Sequence, residues 1–295
     1  MSCKATQNHC IDDHDTQTSF QAEIVGHNGR IGSFLLNAGN GSFLPTSNRP
    51  GTQQVAPIGS CTHVNTPILV AVPSMEILPV VHSTPMNRRK DLVIIANCLP
   101  SRLPKDMTYS VLHFGILKQG QLPVTSDVSP PTVVFGPHAN FLSHLLEKYE
   151  VKTKIASTFE ELEKFALLKL LWVSFMWLLC HDVECKQGFD DEYGIENVRL
   201  TVTEVHDTKQ ELLRALVLEA IPVMKRLKSG GQNDVGYDVN NIMEYLESYS
   251  KSMPNVIPSK DLAIAEFQGR NGILLAYGNQ PLHSELVHRV IGCNP

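Results

Sequence analysis

The stretch Ala22-Glu-Ile-Val-Gly-His-Asn-Gly-Arg-Ile-Gly-Ser33 carries the reading of the fold. Its opening residues are mostly apolar and are bounded by turn formers, which predicts a buried strand, Ala22–Val25. That strand runs directly into Gly26-His27-Asn28-Gly29-Arg30-Ile31-Gly32. Gly29 and Gly32 stand at the spacing of the last two glycines of a dinucleotide-binding turn. In such a turn the missing side chains let the backbone approach a pyrophosphate, and the helix N-terminus behind it offers amide donors and a positive dipole. His27 occupies the place of the first glycine of G-x-G-x-x-G, with Gly26 adjacent. The helix expected from Arg30 to about Ala38 is short for this architecture.

Outward from the turn, short apolar runs recur at Ile68–Val72, Leu92–Ile95, Val111–Leu117 and Thr132–Phe135, each closed by turn residues. Alternation of such strands with helix-capable stretches predicts an α/β unit with a mostly parallel sheet. Gly39–Gly51 reads as a loop holding at most a three-residue strand. Within it lies Arg49, placed after the second strand, where an arginine meets the 2′-phosphate of NADP and an acid would meet the ribose of NAD. Turn, loop and arginine together point to NADP. The second half changes character. Glu160–Leu179, opened by Ser157 or Thr158, has acids in its first turn, as a helix N-terminus prefers. Val202–Lys228, with Pro222 as an expected kink, Asn240–Ser250, Asp261–Tyr277 and Leu282–Ile291 are further helical stretches. The layout is a floppy tail over residues 1–19, a Rossmann-like dinucleotide-binding unit over 20–155, and an all-helical unit over 156–295.

The 295 residues carry 25 Lys+Arg against 30 Asp+Glu, a formal charge of −5, which leaves no electrostatic footprint for nucleic acid or an anionic membrane. With 42% hydrophobic residues a large core is expected. No apolar run suffices for a membrane span, since the longest, Phe165 to Cys180, is interrupted by Lys169 and Ser174. Seven scattered cysteines are not a disulfide framework, and Cys180, His181 and Cys185 lack a fourth zinc ligand. His181-Asp182 and His206-Asp207 are not expected to hold a metal, because adjacent helical residues point apart. Arg88-Arg89-Lys90 reads as a solvated turn. Soluble, cytoplasmic placement follows from thiol usage and from a tail without an apolar leader.

Three further segments carry a resemblance: Asp91-Leu-Val-Ile-Ile-Ala-Asn97-Cys98, the helix Lys169-Leu-Leu-Trp-Val-Ser-Phe-Met-Trp177, and Ser252-Met253 followed by Glu266-Phe-Gln-Gly-Arg-Asn271-Gly272. Their order and spacing over residues 20 to 295 resemble the ketopantoate reductase family, which joins an NADP-binding Rossmann domain to a helical domain of the 6-phosphogluconate dehydrogenase type. The resemblance implies hydride transfer from NADPH to a carbonyl and a homodimer, with substrate or dimer contacts made by the helical unit. It implies that Lys169 is the general acid, that Glu266 orients the active site and tunes the lysine, and that Asn97 stands beside nicotinamide and substrate. It implies that Ser252 binds the substrate carboxylate and that Asn271, with Gly272, is mainly a structural mark near the substrate.

The residues of Lys169 support this independently. It sits mid-helix in an almost wholly apolar run, and a buried ammonium must be paired or lower its pKa. Such a lysine suits proton donation to a nascent alkoxide. Lys164, among Glu160, Glu161 and Glu163, reads instead as an exposed helix charge. The chain also departs from the family pattern. Val173 and Trp177 replace asparagines that follow the lysine, Cys98 replaces a glycine, and Pro73 replaces a lysine. These losses argue against ketopantoate itself and for a less polar 2-keto acid or ketone as the small-molecule substrate. They also leave open a catalytically silent relative that binds NADP as a sensor or interaction protein.

Overall fold

The computed structural model describes residues 20–47, 55–61, 65–95, 99–182, 199–228 and 237–292. The expected tail at 1–19, Arg49, Asn97, Cys98 and Cys185 lie outside the described residues. In chain order the elements are β1 (Ala22–Val25), α1 (Arg30–Ala38), β2 (Phe43–Ser47), β3 (Ala56–Pro57), β4 (Ile68–Val70), α2 (Ile77–Ser83), β5 (Leu92–Ile95), β6 (Thr108–Val111), β7 (Thr132–Phe135), α3 (Ala139–Glu147) and β8 (Thr153–Ile155). Only helices follow: α4 (Phe159–His181), α5 (Val202–Thr208), α6 (Gln210–Leu227), α7 (Val239–Lys251), α8 (Lys260–Ala265), α9 (Asn271–Ala276) and α10 (Pro281–Ile291).

Among the described residues eight strands form one sheet in the order β3-β2-β1-β4-β5-β6-β7-β8. All neighbours are parallel except β6 and β7. The chain leaves β1 toward β2 on one side and returns to β4 on the other, so the strand order reverses at the C-terminal ends of β1 and β4. That is where open α/β sheets bind ligands. The central strands are buried on both faces, as parallel strands covered by helices must be. Buried Glu23 in β1 is held by the amides of Gly59 at 2.6 Å and Cys61 at 3.0 Å. Arg88 approaches Glu23 at 3.4 Å and Asp91 at 2.7 Å and donates to the carbonyls of Cys61 and Thr66. The Arg88-Arg89-Lys90 turn is therefore not a solvated one at Arg88, which is only 7% exposed. Buried carboxylates demand such a partner.

Several expectations are corrected. Gly39–Gly51 contains a five-residue strand, β2, because Phe43 is buried beside β1. The strand expected at Val111–Leu117 lies earlier, at β6. Residues 112–117 leave the sheet, tuck Phe114 and Ile116 against α1, and leave Leu117 exposed. The helix expected over Val202–Lys228 breaks at Lys209, not at Pro222. Lys209 turns its ammonium back onto the end of α4, donating to Leu179 O at 3.2 Å and to the Asp182 carboxylate at 3.1 Å. Pro222 stays inside α6 because it lies on the solvent side. The carbonyl it leaves without an amide belongs to Leu218, which is itself exposed, so water can serve it. The helix expected over Asp261–Tyr277 is interrupted by a short 3-10 turn and by Arg270, whose φ and ψ are −121° and −100°.

Thr158 caps α4 through its side chain. Every residue of α4 from Ala166 to Cys180 is buried, with α5, α6, α7, α8 and α10 packed around it. A helix apolar all round has to be central, and this one carries Lys169 with it. Lys164 is exposed. Among the described residues no helix is long and apolar enough to cross a membrane.

Candidate active site at the cleft beside the glycine turn

The turn after β1 is built by three glycines for three different reasons. Gly26 has φ +84°, and a Cβ there would lie 2.3 Å from the carbonyl oxygen of Ala71 at the end of β4. A Cβ on Gly32 would lie 2.0 Å from the Gly26 carbonyl, so this glycine lets α1 pack against the turn. Gly29 is the N-cap of α1, and a Cβ there meets ordinary contacts at 3.4 Å and beyond. Its missing side chain instead leaves the helix N-terminus open. The tight turn is thus supplied by Gly26, one residue earlier than in G-x-G-x-x-G, and His27 is accommodated. A pocket of about 310 Å³ opens here, lined by Gly26, His27, Asn28 and Gly29, by Thr46 and Ser47 at the end of β2, and by Glu76. The Nδ1 atom of His27 is buried without a hydrogen-bond partner. First-turn amides with no intrahelical acceptor, a cradle that side chains would fill and an orphaned imidazole nitrogen all fit the phosphates of a dinucleotide.

A second cavity, of about 430 Å³, lies where α1 and residues 114–117 face α4 and α7. Arg30 and Ile31, the first residues of α1, line it together with Lys169, Tyr249 and Arg270. Arg30 reaches across to the carbonyl of Ile116 at 3.2 Å. The cavity therefore begins where the glycine turn ends. Its described lining includes three cations and no carboxylate.

Lys169 is 7% exposed. Its ammonium donates to the hydroxyl of Tyr249 and lies 3.9 Å from the centre of that ring and 5.1 Å from the Trp172 ring. Aromatic faces and a phenol hold the charge where a carboxylate would be the ordinary partner. Burial, and next the positive charge of Arg270, push the Lys169 pKa well down. Tyr249 is buried, which drives its own pKa up and keeps the phenol protonated. Behind it stands His113, 2% exposed, whose Nδ1 donates to Pro131 O at 2.7 Å and whose Nε2 accepts from the Tyr245 hydroxyl. Burial and the charge of Lys169 lower the His113 pKa to about 3, so this imidazole is neutral. Tyr245, Tyr249 and His113 were not singled out in the sequence. The two tyrosines are one helical turn apart on α7, but tyrosine on an amphipathic helix is an ordinary core signal.

Glu266 is not the partner of Lys169. Its carboxylate accepts from Arg270 Nη2, four residues on, and the break between α8 and α9 directs that arginine into the cavity. Ser252 is 4% exposed and donates to Tyr249 O at 2.7 Å, closing the end of α7 instead of facing the cavity. Asn271 is fully buried in a packing network. The indole N–H of Trp177 can only donate and the carbonyl of Ser174 can only accept, which orients the carboxamide. Asn271 Oδ1 accepts from Trp177 at 2.9 Å, and Nδ2 donates to Ser174 O at 2.8 Å and to His283 Nε2 at 2.9 Å. His283 is thereby neutral, and burial lowers its pKa to about 4. Val173 and Trp177 contribute apolar wall.

Other candidates have internal employment. His181 bonds Pro258 O at 2.8 Å, Asp182 is forked by Arg289, and His206 bonds Ser250 Oγ at 3.0 Å. Burial raises the thiols of Cys61 and Cys180 to about 11 and about 12, away from nucleophilic use. Among the described residues no cluster of three or more metal-ligating side chains occurs.

No protein-family model matches the sequence, and no curated protein matches it. Solved structures do match. A D-mandelate dehydrogenase with NADH and anilino(oxo)acetate shares 13% identity over 92% of this chain and 97% of its own, with a TM-score of 0.59. A probable 2-dehydropantoate 2-reductase from Bacillus subtilis shares 11% over 92% and 99%, with a TM-score of 0.59. A dimeric ketopantoate reductase from Staphylococcus aureus shares 12% over 92% and 99%, with a TM-score of 0.58. The chain has the ketopantoate reductase-like fold, a Rossmann-like sheet followed by helices.

Proposed function

We propose that this protein is an NADPH-dependent reductase of a 2-keto acid with an apolar body, built as a dinucleotide-binding unit over 20–155 and a helical unit over 156–295. The observation that carries the reading is the Lys169 ammonium, buried among aromatic rings in a cavity that starts at the first residues of α1. The likeness to a D-mandelate dehydrogenase with NADH and to ketopantoate reductases supports the reaction class. The cradle at Gly26, Gly29 and Gly32 would hold the cofactor phosphates, and Asn97 would stand beside the nicotinamide. Arg49 favours NADP by its place in the sequence after β2.

The chemistry that a reduced nicotinamide would supply there is hydride donation to a carbonyl carbon. Lys169 gives the carbonyl oxygen its proton, so that a 2-keto acid becomes a 2-hydroxy acid. Burial and the neighbouring guanidinium make that proton easy to release, and Tyr249 fixes the nitrogen's position. Trp172 and Val173 exclude water and offer no hydrogen bond to a hydroxylated substrate.

The test is NADPH binding followed by fluorescence, then NADPH oxidation with a panel of 2-keto acids. The wild type is expected to turn over, and Lys169→Ala to lose about 10²–10⁴ in kcat, the usual contribution of a general acid. Cofactor binding without turnover would favour a catalytically silent, NADP-binding relative. No binding would remove both readings.

A further inference from the structure

We infer that Arg270 is the carboxylate anchor of the cavity, so that the ligand is a monocarboxylate whose acid group binds between Arg270 and Lys169. This rests on the reading of the cavity as the substrate site, and it assigns a role to a residue that neither motif spacing nor the resemblance had marked.

Arg270 is 8% exposed yet lines the cavity. Its charge is only partly answered. Glu266 takes Nη2, while Nε is a buried N–H with no acceptor. A buried guanidinium with an orphan donor is costly. It faces a second buried cation, Lys169, whose proton affinity Arg270 itself reduces. Two cations converge on one space with no carboxylate in its described lining. Without an anion that arrangement is repulsive; with one, both charges gain a partner, and Arg270 adds the geometry a carboxylate prefers.

The local backbone serves this placement. Gly269 lies against Ser74, where a Cβ would come within 2.8 Å of its hydroxyl oxygen. Arg270 then leaves helical geometry, and Asn271 is locked to Trp177 and Ser174 of α4. The arginine is thus clamped between Glu266 and a residue tied to the lysine-bearing helix. Glu266 acts through Arg270 as a positioning residue. Ser252 is not left to bind the carboxylate, because its hydroxyl is committed to Tyr249 O.

The experiment compares anilino(oxo)acetate with its neutral primary amide by calorimetry on the full chain, with and without NADPH. The wild type is expected to prefer the carboxylate at least tenfold. Arg270→Gln is expected to lose that preference while its affinity for the amide stays within about threefold, and Arg270→Lys to restore part of it. An unchanged carboxylate-to-amide ratio in a folded Arg270→Gln protein, or in Arg270→Met should the glutamine variant not fold, overturns the inference. No carboxylate preference in the wild type also overturns it. NADPH binding is read separately by fluorescence, so failure of the reductase reading is distinguishable from failure of the anchor.

Discussion

Replacement of Asn271 by leucine tests the packing that ties the cavity together. The side chains are close in volume, so the change removes hydrogen bonds without opening a large cavity. Two groups lose their partner outright: the Trp177 indole N–H and the His283 Nε2 atom, each 2.9 Å from the carboxamide. The Ser174 carbonyl keeps its place in the helix ladder. An orphaned buried polar group costs about 1–3 kcal/mol, so Asn271→Leu should destabilise the helical half by about 2–6 kcal/mol. The chain has two tryptophans, Trp172 and Trp177, both on α4, so intrinsic fluorescence in a urea titration reports this half alone. Function should follow. Asn271 succeeds Arg270 directly, so the surviving folded fraction should show a raised KM for a 2-keto acid with NADPH affinity unchanged. A loss of stability under about 1 kcal/mol would refute the network and the orientation assigned to the carboxamide.

Four further outcomes are expected. His113 and His283 have folded pKa values lowered to about 3 and about 4, so below pH 6.5 the unfolded chain takes up protons that the folded chain refuses. Stability is then full above pH 6.5 and falls with pH by about 2 kcal/mol for each histidine by pH 5, and His113→Phe should flatten part of that slope in melting curves. Lys169→Met should lower turnover by the same order, about 10²–10⁴-fold, yet raise the melting temperature at pH 7, because it removes an amine whose charged form is disfavoured by burial. Since the folded-state pKa of Lys169 is depressed, the wild type regains stability as pH rises toward the ordinary lysine value, and the gap between the two proteins should narrow. Gly29→Ala should fold normally but bind NADPH at least about tenfold more weakly by fluorescence titration, if the open helix N-terminus takes the phosphates. Gly26→Ala should fail to fold stably, as its Cβ would sit 2.3 Å from Ala71 O.

The alternation of short buried runs, the turn at Gly26–Gly32 and the apolar length of α4 were legible without coordinates, because each is a local pattern whose period or spacing implies one kind of element. Lys169 stood out for the same reason, as a charge in a stretch that had to be buried. Its partner did not. Glu266 is drawn to Arg270 four residues along its own segment, while Lys169 finds Tyr249, eighty positions away, so the lysine is held by a phenol and not by an acid. Nor could spacing show that Ser252 and Asn271 use up their hydrogen bonds inside the core, or that the helix expected over Asp261–Tyr277 breaks to aim Arg270 at the cavity. Period and turn chemistry act between near neighbours along the chain, and they suffice to choose elements. Which cation meets which acceptor depends on distances across the assembled layers, and those exist only once α1, α4, α7 and the α8–α9 break have packed.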